Sequence, residues 1–266
     1  MRQLSLEETR RIELEILRHF DSFCKDNQIR YFLSNGTLLG AVKYKGFIPW
    51  DDDIDVLVPR EDYNKLIELY VDDEKYRLFS FERDNKFLFP FAKLCSMKTI
   101  KKEYNVDSGP ELGVDIDIFP LDAWHPNWDK AAREARWIHR MLFFLTLTKQ
   151  SKPDSAHPIK RIAKGFLMLF CKILGGRFFV KKIVRASNNW RAESKYLGCK
   201  SWCIYREREI VPSKAFCDSV DLSFEGELFP APVGYDIYLR SLYGDYKKDP
   251  PIEKRQSHHN FTAYLK

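Results

Sequence analysis

The stretch Trp50-Asp51-Asp52-Asp53-Ile54-Asp55-Val56-Leu57-Val58-Pro59 decides the reading of this 266-residue chain. Side chains on a strand alternate between its two faces. Read as a strand, the run sends Ile54, Val56 and Val58 to the core, and Asp53 and Asp55 share the opposite face. Carboxylates two positions apart on a strand lie about 7 Å from each other and repel unless a cation sits between them. Such oxygen-rich clusters suit Mg²⁺, which binds through one or two carboxylates together with substrate phosphates. An EF-hand loop would also use Asp51, Asp53 and Asp55, but Val56 stands where that loop needs glycine and Asp62 where it needs glutamate. A solvated acidic turn is the plainer alternative, and the apolar character of 54–58 speaks against it.

A second run, Val114-Asp115-Ile116-Asp117-Ile118-Phe119-Pro120-Leu121-Asp122, repeats the pattern. Val114, Ile116 and Ile118 face one way; Asp115 and Asp117 face the other. A third carboxylate beside the first pair would complete a metal site for phosphoryl chemistry. Parity alone leaves Asp115 and Asp117 equally eligible.

Around these runs, 6–27 is expected to form an amphipathic helix, with Ile12, Ile16, Phe20 and Phe23 inward and a capping box in Ser5-Leu6-Glu7-Glu8. A short strand at 30–33 leads into Ser34-Asn35-Gly36-Thr37-Leu38-Leu39-Gly40, a glycine turn opening a helix. Helix 61–70 and strands 87–95, 101–106 and 113–119 follow. Helical spacing then dominates: Trp128 to Leu145, Ile159 to Ile173, and 177–195 after the Gly175-Gly176 break. The last part, with Pro212, Pro230, Pro232, Pro250 and Pro251, reads as turn-rich. The expected division is a catalytic body at 1–125, a basic helical region at 126–227 and a segment at 228–266 that packs back on the body.

Hydrophobic residues at 44% and charged residues at 31% exclude disordered and low-complexity classes. No apolar run reaches the roughly 18–20 residues of a membrane span, and the first residues lack a stretch of signal-peptide length, so a cytoplasmic chain is expected. Six cysteines show no zinc-ligand spacing and are expected to be reduced packing residues. Net charge is +6, yet 149–214 holds 16 Lys and Arg against 4 Asp and Glu, so the rest of the chain sums to −6. A basic, aromatic-rich middle suits an anionic partner, whether nucleotide phosphate, lipid surface or nucleic acid.

Taken together, Ser34-Asn35-Gly36-Thr37-Leu38-Leu39-Gly40-Ala41-Val42, Gly46-Phe47-Ile48-Pro49-Trp50-Asp51-Asp52-Asp53-Ile54-Asp55, Pro59-Arg60-Glu61-Asp62-Tyr63 and Asp117-Ile118-Phe119-Pro120-Leu121-Asp122 resemble the LicD family. Leu242-Tyr243-Gly244-Asp245-Tyr246 adds a weaker likeness. The family includes bacterial phosphocholine transferases and is related to fukutin-type enzymes. The resemblance implies an α/β nucleotidyltransferase fold, a mixed sheet with an appended mainly helical region. It implies Mg²⁺ or Mn²⁺ on Asp53, Asp55 and Asp117, and it favours Asp117 over Asp115. Ser34, Gly36 and Thr37 would fall on the turn that holds nucleotide or phosphate, where glycine lets backbone N–H groups approach. Lys93 needs an anionic partner in its apolar strand; a phosphate is one expectation and a snorkelling edge position the other. Arg60 could contact phosphate or pair with an aspartate, and His258 and His259 are weaker candidates.

The implied reaction moves a phospho-alcohol unit, phosphocholine from CDP-choline first, onto a sugar of a cell-surface glycan, teichoic acid or lipopolysaccharide precursor. Nucleic acid is not an expected partner. A plain nucleotidyltransferase moving NMP, or a non-catalytic binder, are the alternatives. The acceptor would be lipid-linked, which bears on 159–174. Its apolar side either packs on the body or lies on the inner face of a membrane, among anionic headgroups.

Overall fold

The capping box forms in the computed structural model: the Glu8 amide donates to Ser5 Oγ at 3.2 Å and the Ser5 amide to Glu8 Oε2 at 2.9 Å. It opens α1 (Leu6–Asp26), which follows the two-residue strand β1 (Arg2–Gln3). The structure describes residues 1–103, 110–154, 157–188, 194–255 and 261–266. His258, His259, the end of the strand expected at 101–106 and the tail of the helix expected at 177–195 lie outside these. The inward stripe of α1 is Thr9, Glu13, Ile16, Leu17, Phe20 and Cys24. It is rotated from the expected one, with Ile12 and Phe23 half-buried at its edge.

Next come β2 (Phe32–Leu33), α2 (Asn35–Tyr44), β3 (Asp55–Pro59), α3 (Arg60–Leu69), β4 (Tyr76–Phe79), β5 (Ala92–Ser96), β6 (Thr99–Glu103) and β7 (Asp115–Ala123). The strand expected at 87–95 begins only at Ala92. Pro90 cannot donate to a ladder, and Phe87, Phe89 and Phe91 pack on one another instead, with ring centroids 5.2 and 5.5 Å apart. The central sheet runs β2-β3-β7-β5-β4. β3 and β7 are parallel and the other pairs on that path antiparallel, so the sheet is mixed. Val56, Leu57 and Val58 are all fully buried, so β3 is covered on both faces rather than one. Buried parallel strands read as continuous apolar runs for this reason.

The helices α4 (Trp128–Lys149), α5 (Pro158–Leu174) and α6 (Gly176–Ser187) form a second cluster of buried residues around Ile138, Leu142, Phe179 and Ile183. From there the chain returns to strands: β8 (Tyr196–Gly198) pairs with the end of β7, and β9 (Val211–Pro212) with β8. The turn-rich ending holds more order than expected. β10 (Ser219–Phe224) and β11 (Glu227–Pro232) form a hairpin closed by Glu225 and Gly226, both at positive φ. With only two strands in this hairpin, Pro230 and Pro232 leave no ladder donor missing between neighbours. α7 (Tyr235–Tyr243) and β12 (Phe261–Leu265) complete the order, β12 lying between β1 and β6. All six cysteines are free thiols and only Cys217 is exposed.

Glu209 is 2% exposed and its Oε2 has no hydrogen-bond partner. Burial pushes its carboxyl up to about 8, against backbone amides at Tyr205 and Cys199 that favour the charged form. A raised folded-state value means stability that is whole below the unfolded value and is lost as pH climbs through about 8. Wild-type protein is therefore expected to lose unfolding free energy between about pH 5 and about pH 8 relative to Glu209→Gln. Urea unfolding at both ends of that window measures it. Parallel profiles for the two proteins would refute it.

Candidate active site

Strand register distinguishes the two aspartates that parity leaves equal. On the parallel neighbours β3 and β7, Asp55 lies opposite Asp117, and on β5 Lys93 lies opposite Asp117 from the other side. A row Asp55–Asp117–Lys93 thus crosses three strands. The Lys93 ammonium reaches Asp115 Oδ2 at 2.5 Å and also bonds Asp117 Oδ1. Lys101 Nζ takes the other Asp115 oxygen at 2.9 Å. Burial opposes ionisation of Asp115, yet Lys101 and Lys93 together hold it below the usual carboxylate range. Asp117 differs: burial raises it to about 6, with Lys93 pulling the other way. Asp115 is thus a locked structural ion and Asp117 the titratable member.

The structure overturns the edge-strand expectation for Lys93. β5 lies between β7 and β4, so Lys93 is not at an edge, and at 5% exposed its ammonium is committed to carboxylates. Two side chains of the glycine turn are buried as well. Thr37 is buried and its hydroxyl accepts the Asp55 amide at 2.8 Å. Ser34 is fully buried, with Oγ lacking a partner. The Thr37 hydroxyl and the Ser34 amide, which donates to the Asp55 carbonyl at 3.0 Å, both position Asp55. Arg60 resolves to the aspartate: it makes a two-pronged pair with buried Asp122 at 2.7 and 3.1 Å.

Gly36 admits an acidic neighbour. A Cβ built there would lie 2.5 Å from Asp51 Oδ2, so only glycine lets this carboxylate reach the start of α2, where backbone N–H groups favour negative charge. Arg10 of α1 holds the preceding loop from behind, donating to the carbonyls of Ile48, Pro49 and Asp51 at 2.5–3.0 Å. Oxygens of Asp51, Asp52 and Asp53 lie within 4.8 Å of one another. Asp53 precedes β3 instead of lying in it. Burial, then repulsion from Asp53, Asp117 and Asp51, drives Asp55 well above its usual range, against a hydrogen bond from Asn35. Asn35 is braced in turn by the Tyr238 hydroxyl of α7, which donates to Oδ1 at 2.9 Å.

Sequence reasoning missed Asp51, Asp52, Arg10 and Glu13. Glu13 is 1% exposed and Oε2 lacks a partner; burial, with Asp53, Asp115 and Asp52 opposing Lys101, raises its carboxyl well above the usual range. A glutamate on the inward stripe of an amphipathic helix was the available signal. Asp51 and Asp52 lie before the strand, where alternation says nothing. The assembled donor set is all oxygen and rich in mutually repelling carboxylates, which fits a hard divalent cation such as Mg²⁺ or Mn²⁺.

Gly36→Ala tests the approach of Asp51. Alanine suits a helix start, so the urea midpoint is expected to move little, while turnover falls about tenfold or more from a displaced carboxylate. Unchanged turnover would mean that the position of Asp51 is immaterial.

Fold and site together define a mixed α/β domain with an acidic, cation-fitting centre framed by a glycine-opened helix. Residues 28–149 match the family described as LicD/FKTN/FKRP, nucleotidyltransferase domain. Over the whole of both chains the sequence is 28% identical to the lipopolysaccharide cholinephosphotransferase LicD of Haemophilus influenzae. An uncharacterized protein of Rickettsia prowazekii is 40% identical over 148 residues, spanning 44% of this chain and 55% of that one. The chain is thus similar to the LicD family, through the family model over residues 28–149 and through this transferase end to end.

Proposed function

We propose that the chain is a transferase of nucleotidyltransferase fold that moves a phospho-alcohol unit, phosphocholine from CDP-choline first, onto a sugar hydroxyl of a cell-surface glycan such as lipopolysaccharide. The observation that carries this reading is the Asp55–Asp117 pair beside Asp51, Asp52 and Asp53, in a chain aligned end to end with a cholinephosphotransferase. A divalent cation on Asp53, Asp55 and Asp117 would supply charge neutralisation for the donor diphosphate.

The chain's own groups do the rest. Thr37 and Asn35 hold Asp55 in place. Lys93 fixes Asp117, which stands as the candidate base for the acceptor hydroxyl. The sugar hydroxyl attacks phosphorus, its proton passes to Asp117, and the bond to CMP breaks. Among the described residues no helix is long and apolar enough to cross a membrane, and a cytoplasmic reaction on a lipid-linked acceptor remains part of the proposal.

A panel of CDP-choline, CDP-ethanolamine, CDP-glycerol, CDP-ribitol and CTP, scored for CMP or pyrophosphate release with Mg²⁺, Mn²⁺ or chelator, tests it. Cation-dependent CMP release from one CDP-alcohol is expected. Turnover of CTP alone would assign NMP transfer instead, and no turnover of any donor would leave a binding protein.

A further inference from the structure

One face of the helical cluster is bare. In α5, Ile159, Ile162, Phe166, Leu169, Phe170 and Ile173 share a side and are each 58–82% exposed. Only Met168 and Cys171 of this helix are buried. Scattered exposed apolar residues are ordinary; six along one side of a 17-residue helix form a patch that marks an interaction surface. The packing expectation for this segment therefore fails, since among the described residues nothing covers the stripe.

What surrounds the stripe identifies its occupant. Residues 158–187 carry eight Lys and Arg and no Asp or Glu. α6 packs inward through Phe179, Val180 and Ile183 and turns Lys181, Lys182 and Arg185 outward. Lys182 shares a cavity of about 310 Å³ with Phe170, Leu174 and Phe178, so charge borders the apolar surface directly. Trp137 of α4 walls that cavity and also a second one, of about 610 Å³, where Arg133, Arg136, Arg140 and Arg206 outnumber Glu134, Arg136 being also paired with Glu207 at 2.6 Å. Apolar groove, tryptophan and arginine cluster thus follow one another across the surface. That is the sequence of environments met on passing from acyl chains through the interface to phosphate headgroups. A second copy of the chain is disfavoured as the occupant, because pairing would set eight cations against eight.

We propose that α5 lies in the plane of an anionic phospholipid membrane. Its apolar side enters the acyl region, while the cations of α5 and α6 and the arginine-lined cavity rest on headgroup phosphates. At 1.5 Å per residue α5 is about 25 Å long, and with its four cations it is suited to lie along the surface rather than span it. The docking surface does not depend on the transfer reaction proposed above, although it would bring a lipid-linked acceptor to the enzyme.

Full-length protein, without donor or metal, is floated with vesicles of phosphatidylcholine alone or with about one third phosphatidylglycerol, at low salt and at about 0.5 M salt. Wild-type protein is expected to float with the anionic vesicles at low salt and about tenfold less with neutral ones or at high salt. Ile162→Glu/Phe166→Glu and Lys181→Glu/Lys182→Glu/Arg185→Glu should each lose most of that binding. All five positions are exposed, so unchanged circular dichroism and melting are expected, as is unchanged transfer to a water-soluble acceptor. That last measurement separates failure of the docking surface from failure of the catalytic reading. Equal flotation with neutral vesicles, no flotation, or variants that bind like wild type would overturn the proposal. So would a lipid-free dimer that dissociates in Ile162→Glu/Phe166→Glu.

Discussion

Asp55→Asn and Asp117→Asn are each expected to lower transfer by 10²-fold or more, the scale of losing one preorganised charge at a phosphoryl site. Both remove a carboxylate from the row that crosses β3 and β7. Neither is expected to unfold the protein. Asp55 is buried among Asp53, Asp117 and Asp51, which raise its proton affinity, so an uncharged isostere relieves repulsion in the metal-free protein. The informative contrast is Asp115→Asn. Asp115 holds two buried lysines, so its loss should appear as a lower urea midpoint, with smaller loss of turnover per folded molecule. Turnover in Asp55→Asn above roughly a tenth of wild type, or Asp115→Asn inactive yet fully stable, would place the chemistry elsewhere.

Lys93→Met carries the largest expected effect on the fold. Removing one partner from a buried ion pair typically costs about 3–5 kcal/mol, because the other charge is left uncompensated. Here Lys101 still serves Asp115, so the stranded group is Asp117. The penalty should therefore grow as pH rises past about 6, where Asp117 must either ionise unpaired or stay protonated. Lys93→Met/Asp117→Asn should recover a substantial part of the lost stability, a coupling that a double-mutant cycle reads directly. Were Lys93 a phosphate ligand, Lys93→Met would instead keep its urea midpoint and raise KM for the donor.

Much of the chain through α6 was legible from local pattern. The Ser5–Glu8 capping box, the β3 and β7 apolar runs and the α4 to α6 periodicities depend on nearest neighbours in sequence, and local signals report those. The failures have a common cause. Phe87, Phe89 and Phe91 alternate like a strand but sit beside Pro90, so their alternation serves a loop cluster. α7 was hidden among turn signals, although Tyr238, Leu239 and Leu242 are fully buried and Tyr238 supports Asn35. The inward stripe of α1 was placed beside its true line because a glutamate, Glu13, occupies an inward position.

By itself the sequence determined that two acidic strands exist, that their apolar faces are core, and that a glycine turn precedes the first of them. Those properties follow from side-chain alternation and backbone freedom within a few residues. Tertiary structure decided which carboxylates meet. Asp117 stands beside Asp55 because β3 and β7 are parallel in that register, and Asp115 is withdrawn because Lys93 and Lys101 converge on it from other strands. It also decided which amphipathic helix keeps its apolar side covered. α6 spends its own on α4 and α5 does not, a difference that periodicity cannot express, because it lies in where each helix is placed and not in how its residues are spaced.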